Sequence, residues 1–413
     1  MSLSSPVLLW LLGLLTIGLP IVVVTLWSRI RGPRPVVVGS RVGLVLASQL
    51  AAVLLMGAAV NDYAYLYGSW GDLWGSLTQP FATHYKVSPV SIAKRSGRAP
   101  AAATITRVTT QAGYRQPSRW PRIGRLETVS IYGGASQLRA RAYVYLPPQY
   151  FQPRYRSSIF PAAEVLSGYP STNKMLVKRL AFPRTLAREI GRHRARPMVL
   201  VLLRPTLTYP RDTECTDVPG GPQVETFYAQ DVPAAISGHY RAAPTGWGSA
   251  GISTGGYCAT KITMTYPTIF RAAVSFSGYY HAVKDYTTGD LWGGSRTLRN
   301  LNSPEWRLQH QPAPPVSLLL TSSRDELGPL GYADTRRFVS LARPPLKVAT
   351  LIAAHGGHVF TTWKPQIPEC IRWLSARLSP ARPASVTGRS SAATSRFSGF
   401  AGRAVPPPAG RAR

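Results

Sequence analysis

Gly251-Ile252-Ser253-Thr254-Gly255 is the stretch on which the fold turns. It is a G-x-S-x-G pentapeptide. Gly246-Trp247-Gly248-Ser249-Ala250 before it reads as a short strand of mostly small residues, and Gly256 to Met264 after it reads as a helix. A serine on a sharp strand-to-helix turn is crowded into a strained backbone, and only small neighbours tolerate that. Its hydroxyl is then exposed above a parallel sheet, near the positive end of a helix.

Working outward, strands and helices alternate. Leu126 to Tyr132 and Ala140 to Leu146 flank Gly133-Gly134 and predict an antiparallel pair. Pro161 to Pro170 reads as a strand ending in a glycine turn, followed by a helix over 173–191. Met198 to Leu203 is a continuous apolar run, as expected of a strand buried on both faces. A helical pattern covers 224–240. Further strands are expected over 246–252, 272–276, 316–321 and 348–353, with a last helix over 361–378. This order predicts the α/β class, with a doubly wound, mostly parallel sheet and right-handed crossovers.

The chain has 413 residues and a net charge of +31, and Arg supplies 40 of its 48 basic residues. Nine Lys or Arg and no acid fall in residues 73–126, and six Arg and no acid in 381–413. Such charge suits nucleic acid, but no nucleic-acid-binding motif accompanies it and the basic runs lie in linker-like sequence. The expectation is no nucleic acid, with solvated linkers or attraction to anionic lipid or wall polymers instead. Pro6 to Trp27 and Val42 to Val60 carry no charge over 22 and 19 residues. Each can cross a hydrocarbon core of roughly 30 Å. Arg29, Arg31, Arg34 and Arg41 lie between them, and none of the flanking sequence is basic until Lys86. The positive-inside bias puts that loop in the cytoplasm and everything after about residue 61 outside. The expected domains are a membrane anchor over 1–60, an aromatic and basic linker over 61–121, a catalytic domain over 122–378 and a disordered Pro/Arg/Ser tail over 379–413. The three cysteines are too few for a disulfide scaffold. A Cys215–Cys258 bridge is one expectation, and three buried apolar thiols the other. No Cys/His spacing suggests a metal, and no cofactor is expected.

A serine hydroxyl needs a base to take its proton, and the base needs an orienting acid. In sheets of this kind the order is serine, acid, histidine. Ser253 is the nucleophile candidate. The strand over 316–321 leads into Ser322-Ser323-Arg324-Asp325-Glu326, so either Asp325 or Glu326 lies at a strand's carboxyl end, where sites gather. The last strand leads into Ala354-His355-Gly356-Gly357-His358. Asp325 is preferred over Glu326 as the acid, and His358 over His355 as the base. The Thr254 amide and the Tyr169 amide, the latter in Leu166-Ser167-Gly168-Tyr169, are expected to form an oxyanion hole. The Arg211 to Asp217 loop is expected to wall the pocket.

Several motifs now fall together: Arg141 to Tyr150, Leu166-Ser167-Gly168, Glu225-Thr226-Phe227 with Asp231-Val232-Pro233, Gly251 to Gly256, and Gly356-Gly357-His358. In this order and spacing the chain resembles the esterase D and antigen 85 (mycolyltransferase) group of α/β-hydrolases over roughly residues 125–378. The resemblance implies the α/β-hydrolase fold and acyl transfer to water or a sugar hydroxyl. Its mycolyltransferase branch uses Glu as the acid, its esterase branch often Asp. Thr254 differs from the residue that usually follows the serine in mycolyltransferases, so mycolate chemistry is not implied. The expectation is a membrane-anchored, extracytoplasmic serine esterase or acyltransferase. It would act on an acyl ester or lipid-like substrate, with a sugar or wall-polymer hydroxyl as a candidate acceptor. Two other classes compete: a non-catalytic wall-binding module on the same fold, and a serine peptidase.

Overall fold

The computed structural model of the chain describes residues 5–64, 66, 67, 70, 73, 102–208 and 210–383. Residues 74–101 of the predicted linker and 384–413 of the predicted tail lie outside the described residues.

Two apolar helices come first, α1 (Pro6–Leu26) and α2 (Arg34–Ala64), and they pack against each other. Both are long and apolar enough to cross a membrane. α1 buries none of its side chains. α2 begins at Arg34 rather than at the charge-free stretch from Val42. Helicity is set by the backbone, and Pro35 suits a first turn. Arg41 turns back, donates to the Trp27 carbonyl (2.8 Å) and lies 4.7 Å above the Trp27 ring centre. At 31 residues α2 is about 46 Å long, more than a hydrocarbon core requires.

The rest is built on a nine-stranded sheet. In chain order its strands are β1 (Thr104–Thr110), β2 (Arg125–Tyr132), β3 (Arg139–Leu146), β4 (Ala162–Leu166), β5 (Val199–Leu203), β6 (Trp247–Ile252), β7 (Phe270–Phe276), β8 (Ser317–Ser323) and β9 (Lys347–Ala353). Their spatial order is β1-β2-β3-β5-β4-β6-β7-β8-β9. Pairing is antiparallel from β1 to β5 and parallel from β5 to β9. The chain steps from β4 to β5 on one side and then to β6 on the other. That reversal opens a crevice at the carboxyl ends of β4 and β6, where open α/β sheets hold their sites.

Helices cover both faces, the main ones being α3 (Phe182–Gly191), α4 (Val232–His239), α5 (Thr254–Thr265), α6 (Tyr332–Ser340), α7 (Phe360–Trp363) and α8 (Ile367–Arg377). Alternate residues of β5 divide between the two layers. Val199, Val201 and Leu203 join Phe227, Ile236 and Ile262, whereas Leu200 and Leu202 join Leu186, Ile371 and Leu374. This two-sided burial is why β5 reads as an unbroken apolar run.

Three boundaries differ from the sequence reading. The folded unit begins at β1, not near Arg122, so the expected linker over 61–121 ends earlier. β1 (Thr-Ile-Thr-Arg-Val-Thr-Thr) is an edge strand with most side chains exposed, and it is held by backbone pairing to β2, which leaves no apolar pattern to see. The helix over 173–191 is two, Lys174–Lys178 and α3, separated at Ala181 (φ 53°). The helix over 224–240 is likewise interrupted, with a π-turn at Phe227–Asp231 before α4. Pro183 stands in the first turn of α3, the one place where the missing N–H costs nothing.

Candidate active site

The site grows from the β6–α5 turn. Ser253 has φ 56° and ψ −123°, a conformation that costs a non-glycine residue on the order of 1–3 kcal/mol. The surrounding backbone leaves no room for side chains. A Cβ on Gly251 would lie 2.0 Å from the Gly255 carbonyl oxygen, and one on Gly255 would lie 2.4 Å from that of Ser167. The glycines of the pentapeptide are therefore spacing devices. They bring the β4 turn, β6 and α5 into mutual contact and lock the turn. Ser253 is fixed by its own N–H to the Phe276 carbonyl (2.8 Å), and its carbonyl accepts from Gly256 and Tyr257. Thr254 opens α5, a twelve-residue helix whose first amides lack intrahelical acceptors and carry its positive end. The Gly168 backbone runs against Ser253, whose Cβ lies 3.3 Å from where a Cβ on Gly168 would stand. This puts the Gly168-Tyr169 turn beside the Ser253-Thr254 turn.

The two acid–histidine candidates separate cleanly. His358 Nδ1 lies 3.5 Å from Glu326 Oε1, with Glu326 buried and His358 half exposed. His355 Nδ1 lies 3.4 Å from Asp325 Oδ2, and that pair is out in solvent. The expectation that Asp325 orients the imidazole does not fit this geometry. Asp325 instead accepts the Gly356 N–H (3.0 Å) and braces the loop that carries the histidines. Neighbours on a tight turn point in opposite directions, and here Glu326 is the one turned inward. Glu326 accepts Ser322 Oγ at 2.6 Å. Burial alone would raise its carboxyl pKa, but the His358, Ser277 and Ser322 side chains facing it outweigh that and hold it below the usual carboxylate range. Gly356 at φ 122° makes the loop possible, since a Cβ there would stand 2.4 Å from Thr362 Oγ1. The His358 ring meets Trp363 edge-on at 5.0 Å, and Trp363 Nε1 donates to Ser277 Oγ (2.8 Å).

A cavity of about 420 Å³ opens at Ser253, lined by Tyr169, Asp212, Glu214, Thr254 and Tyr279 among others. The loop after β5 walls it, as its position in the sequence suggested, but its chemistry was not foreseen. Asp212 is buried and accepts Thr254 Oγ1 (3.1 Å), Thr206 Oγ1 (3.3 Å) and the Glu214 N–H (3.0 Å). Glu214 is buried and accepts Tyr279 Oη (2.6 Å) and the Val283 N–H (3.2 Å). Burial pushes the Asp212 pKa up to about 6. Burial, and then the charge of Asp212, push Glu214 up to about 8. Burial first, then Asp212, raise Tyr169 to about 12. The only sequence signal for this network was two acids just beyond a strand's carboxyl end.

A disulfide joins Cys215 of this loop to Cys258 of α5. Lys261, one turn further along α5, is fully buried. It donates to the Glu214 and Cys215 carbonyls (3.0 and 2.8 Å) and pairs with Glu225 at 3.2 Å. Asp231 in turn accepts the N–H groups of Ala135 and Ser136 (3.0 and 2.9 Å). It fills the space beside Gly133, where a Cβ would stand 2.3 Å from Asp231 Oδ2. Among the described residues one group has ligand atoms close enough for a metal, His281, Glu305 and Asp334, all within 4.8 Å. Arg337 already bridges its two carboxylates at 2.8 and 2.6 Å, so the group is an ion-paired corner.

Residues 135–325 match the sequence model of the family described as "Putative esterase". The matched stretch contains Ser253 and stops before Glu326 and His358. Among solved structures, the S-formylglutathione hydrolase of Agrobacterium tumefaciens is similar at 15% identity and TM-score 0.54, over 67% of this chain and 100% of its own. A ferulic acid esterase is similar at 17% identity and TM-score 0.50, also over 67% and 100%. The Mycobacterium tuberculosis protein MPT51 (FbpC1) matches at 16% identity and TM-score 0.44, over 58% and 95%. The first two likenesses show the α/β-hydrolase fold. No curated protein matches the chain.

Proposed function

We propose that this carboxylic-ester hydrolase is a membrane-anchored, extracytoplasmic serine esterase or acyltransferase, with Ser253 as its nucleophile. The observation that carries the proposal is the backbone of Ser253, at φ 56° on the β6–α5 turn and open to the cavity. Strain of this kind persists where the surrounding structure enforces it, and such places cluster at reacting centres.

In this scheme Ser253 Oγ attacks the acyl carbonyl carbon while His358 takes the hydroxyl proton. Glu326 stays ionised, holds the imidazole and stabilises the imidazolium. The amides of Thr254 and Tyr169 face the oxyanion. The tetrahedral intermediate collapses, the ester C–O bond breaks, and the departing alkoxide takes the proton from His358. An acyl-Ser253 ester remains. Water or an acceptor hydroxyl then adds by the same steps in reverse, releasing an acid or a new ester. The half-exposed His358 and the tyrosine- and carboxylate-lined cavity suit either acceptor, a sugar or wall-polymer hydroxyl included. The two apolar spans and the arginines between them support an anchor with the catalytic unit outside.

The test is turnover of p-nitrophenyl esters of graded chain length, with Ser253→Ala as the control. Ser253→Ala should lower kcat/KM by about a thousandfold or more, while the fold is kept by circular dichroism. Unchanged turnover would remove Ser253 from the scheme. Labelling of Ser253 by a fluorophosphonate without ester turnover would identify an acyltransferase lacking its donor or acceptor.

A further inference from the structure

The end of α2 is fastened to the mouth of the cavity. Arg179 donates from Nε to the Tyr63 carbonyl (3.0 Å) and from Nη2 to the Asp62 carbonyl (3.1 Å). A cation here meets the unpaired carbonyls and negative end of the helix. The same guanidinium stacks 4.9 Å over the Tyr63 ring. Tyr63 also meets Phe360 edge-on at 5.7 Å, two residues beyond His358. The chain then folds back, with the Asn61 side chain bonded to both the N–H (2.7 Å) and the carbonyl (3.3 Å) of Tyr67. Tyr67 lines the cavity that holds Ser253. A span that ends at Tyr63 therefore hands over to the catalytic centre within a few residues.

The loops at the same sheet edge are apolar and unusually exposed. Leu327 directly follows Glu326 and is 89% exposed, and Val359 directly follows His358 and is 44% exposed. Leu330 lines the cavity and is itself 37% exposed. Exposed leucines this close to a reacting centre are costly in water and are stabilised by an apolar phase. Lys174 and Lys178 lie on the short helix that ends at Arg179, and cations beside the end of a span suit anionic headgroups.

Resting on the serine-esterase and membrane-anchor reading above, we propose that the cavity mouth lies on the outer face of the bilayer that holds α2. Leu327, Leu330 and Val359 dip into that face. The substrate is a bilayer-resident, lipid-like ester that delivers its acyl carbonyl to Ser253 from the membrane side.

The test uses the full chain reconstituted into vesicles of phosphatidylcholine and phosphatidylglycerol. Cys215 and Cys258 are bridged and Cys370 is buried, so a new cysteine can be labelled selectively. An environment-sensitive fluorophore is placed at Leu327→Cys in the Ser253→Ala background, and at Thr268→Cys, an exposed site just before the amino end of β7. Nitroxide-bearing lipids should quench the probe at 327 and leave the one at 268 bright. A probe at 327 as unquenched as that at 268 would overturn the proposal. In the active protein, Leu327→Asp should lower turnover of vesicle-borne 4-methylumbelliferyl oleate by about fivefold or more, and leave soluble p-nitrophenyl acetate within about twofold. Equal loss on both substrates would also overturn it. The underlying reading fails separately: it falls if Ser253→Ala retains p-nitrophenyl acetate turnover, whatever the probes report.

Discussion

Two adjacent carboxylates illustrate how far a residue's role depends on which way one turn faces. Asp325 and Glu326 have nearly the same chemistry and differ by one position. Glu326 is buried against His358, Ser277 and Ser322, whereas Asp325 is exposed and spent on a loop amide. Replacing Glu326 by Gln should lower kcat/KM for esters by about a thousandfold or more, because the neutral amide no longer stabilises an imidazolium. Replacing Asp325 by Asn should cost about tenfold at most, through the loop it braces. Steady-state kinetics on the paired variants decides this. A larger loss in Asp325→Asn than in Glu326→Gln would reverse the assignment. The place after β8 makes this pair the sequence's candidates for the acid, but nothing local distinguishes the inward-facing member from the outward one.

At the scale of elements, the loop after β5 is held onto α5 by covalent, ionic and hydrogen-bonded ties in one place. The disulfide closes a separation of 43 residues, and Lys261 satisfies two carbonyls beside it. Closing such a loop constrains the unfolded chain by about 4 kcal/mol in the chain-entropy account. Cys258→Ser should therefore lower stability by about that amount in urea unfolding followed by fluorescence. It should also loosen the wall formed by Asp212 and Glu214, seen as a rise in KM. Unchanged stability in Cys258→Ser would show the tie to be redundant with Lys261. The bridge was one of two readings open to the sequence, since three cysteines do not state their own pairing. β1 is hidden in the sequence for a related reason. An edge strand exposes its side chains and is held by backbone bonds, so it leaves no hydrophobic period.

The whole molecule places unusual acids inside a strongly basic chain. Burial raises Glu164 to about 8, Asp212 to about 6 and Glu214 to about 8. Each folded-state value lies above that of the unfolded chain, so the folded state binds more protons. The stability they contribute is complete below the ordinary carboxyl range and is lost as pH rises through the folded values. The melting temperature should fall from about pH 5 to about pH 8, and Glu214→Gln should flatten part of that fall. A melting temperature that does not change over this window would refute the burial of these groups as acids. At the same scale, Arg179 clamps the end of α2, so the proposed anchor is joined to the surface of the sheet-bearing unit. Full-length protein should accordingly stay with membranes after carbonate extraction, whereas a chain lacking residues 1–60 should be released.

What the sequence determined by itself is whatever nearest neighbours and short periods can encode. That covers the strand–helix alternation of the sheet, the Ser253 turn with its crowding glycines, the order of serine, acid and histidine, and two stretches long enough to span a bilayer. Each depends on residues within a few positions of one another, where sterics and burial leave a local pattern. The tertiary structure alone decided which carboxylate meets His358, which cysteines join, that β1 belongs to the sheet, and that Asp212 and Glu214 stand behind Thr254. It also decided that Tyr63, at the end of α2, rests against Phe360 beside the His358 loop. These are meetings between residues tens or hundreds of positions apart. They are fixed by how whole elements pack, and the order of the residues on either side does not choose among the alternatives.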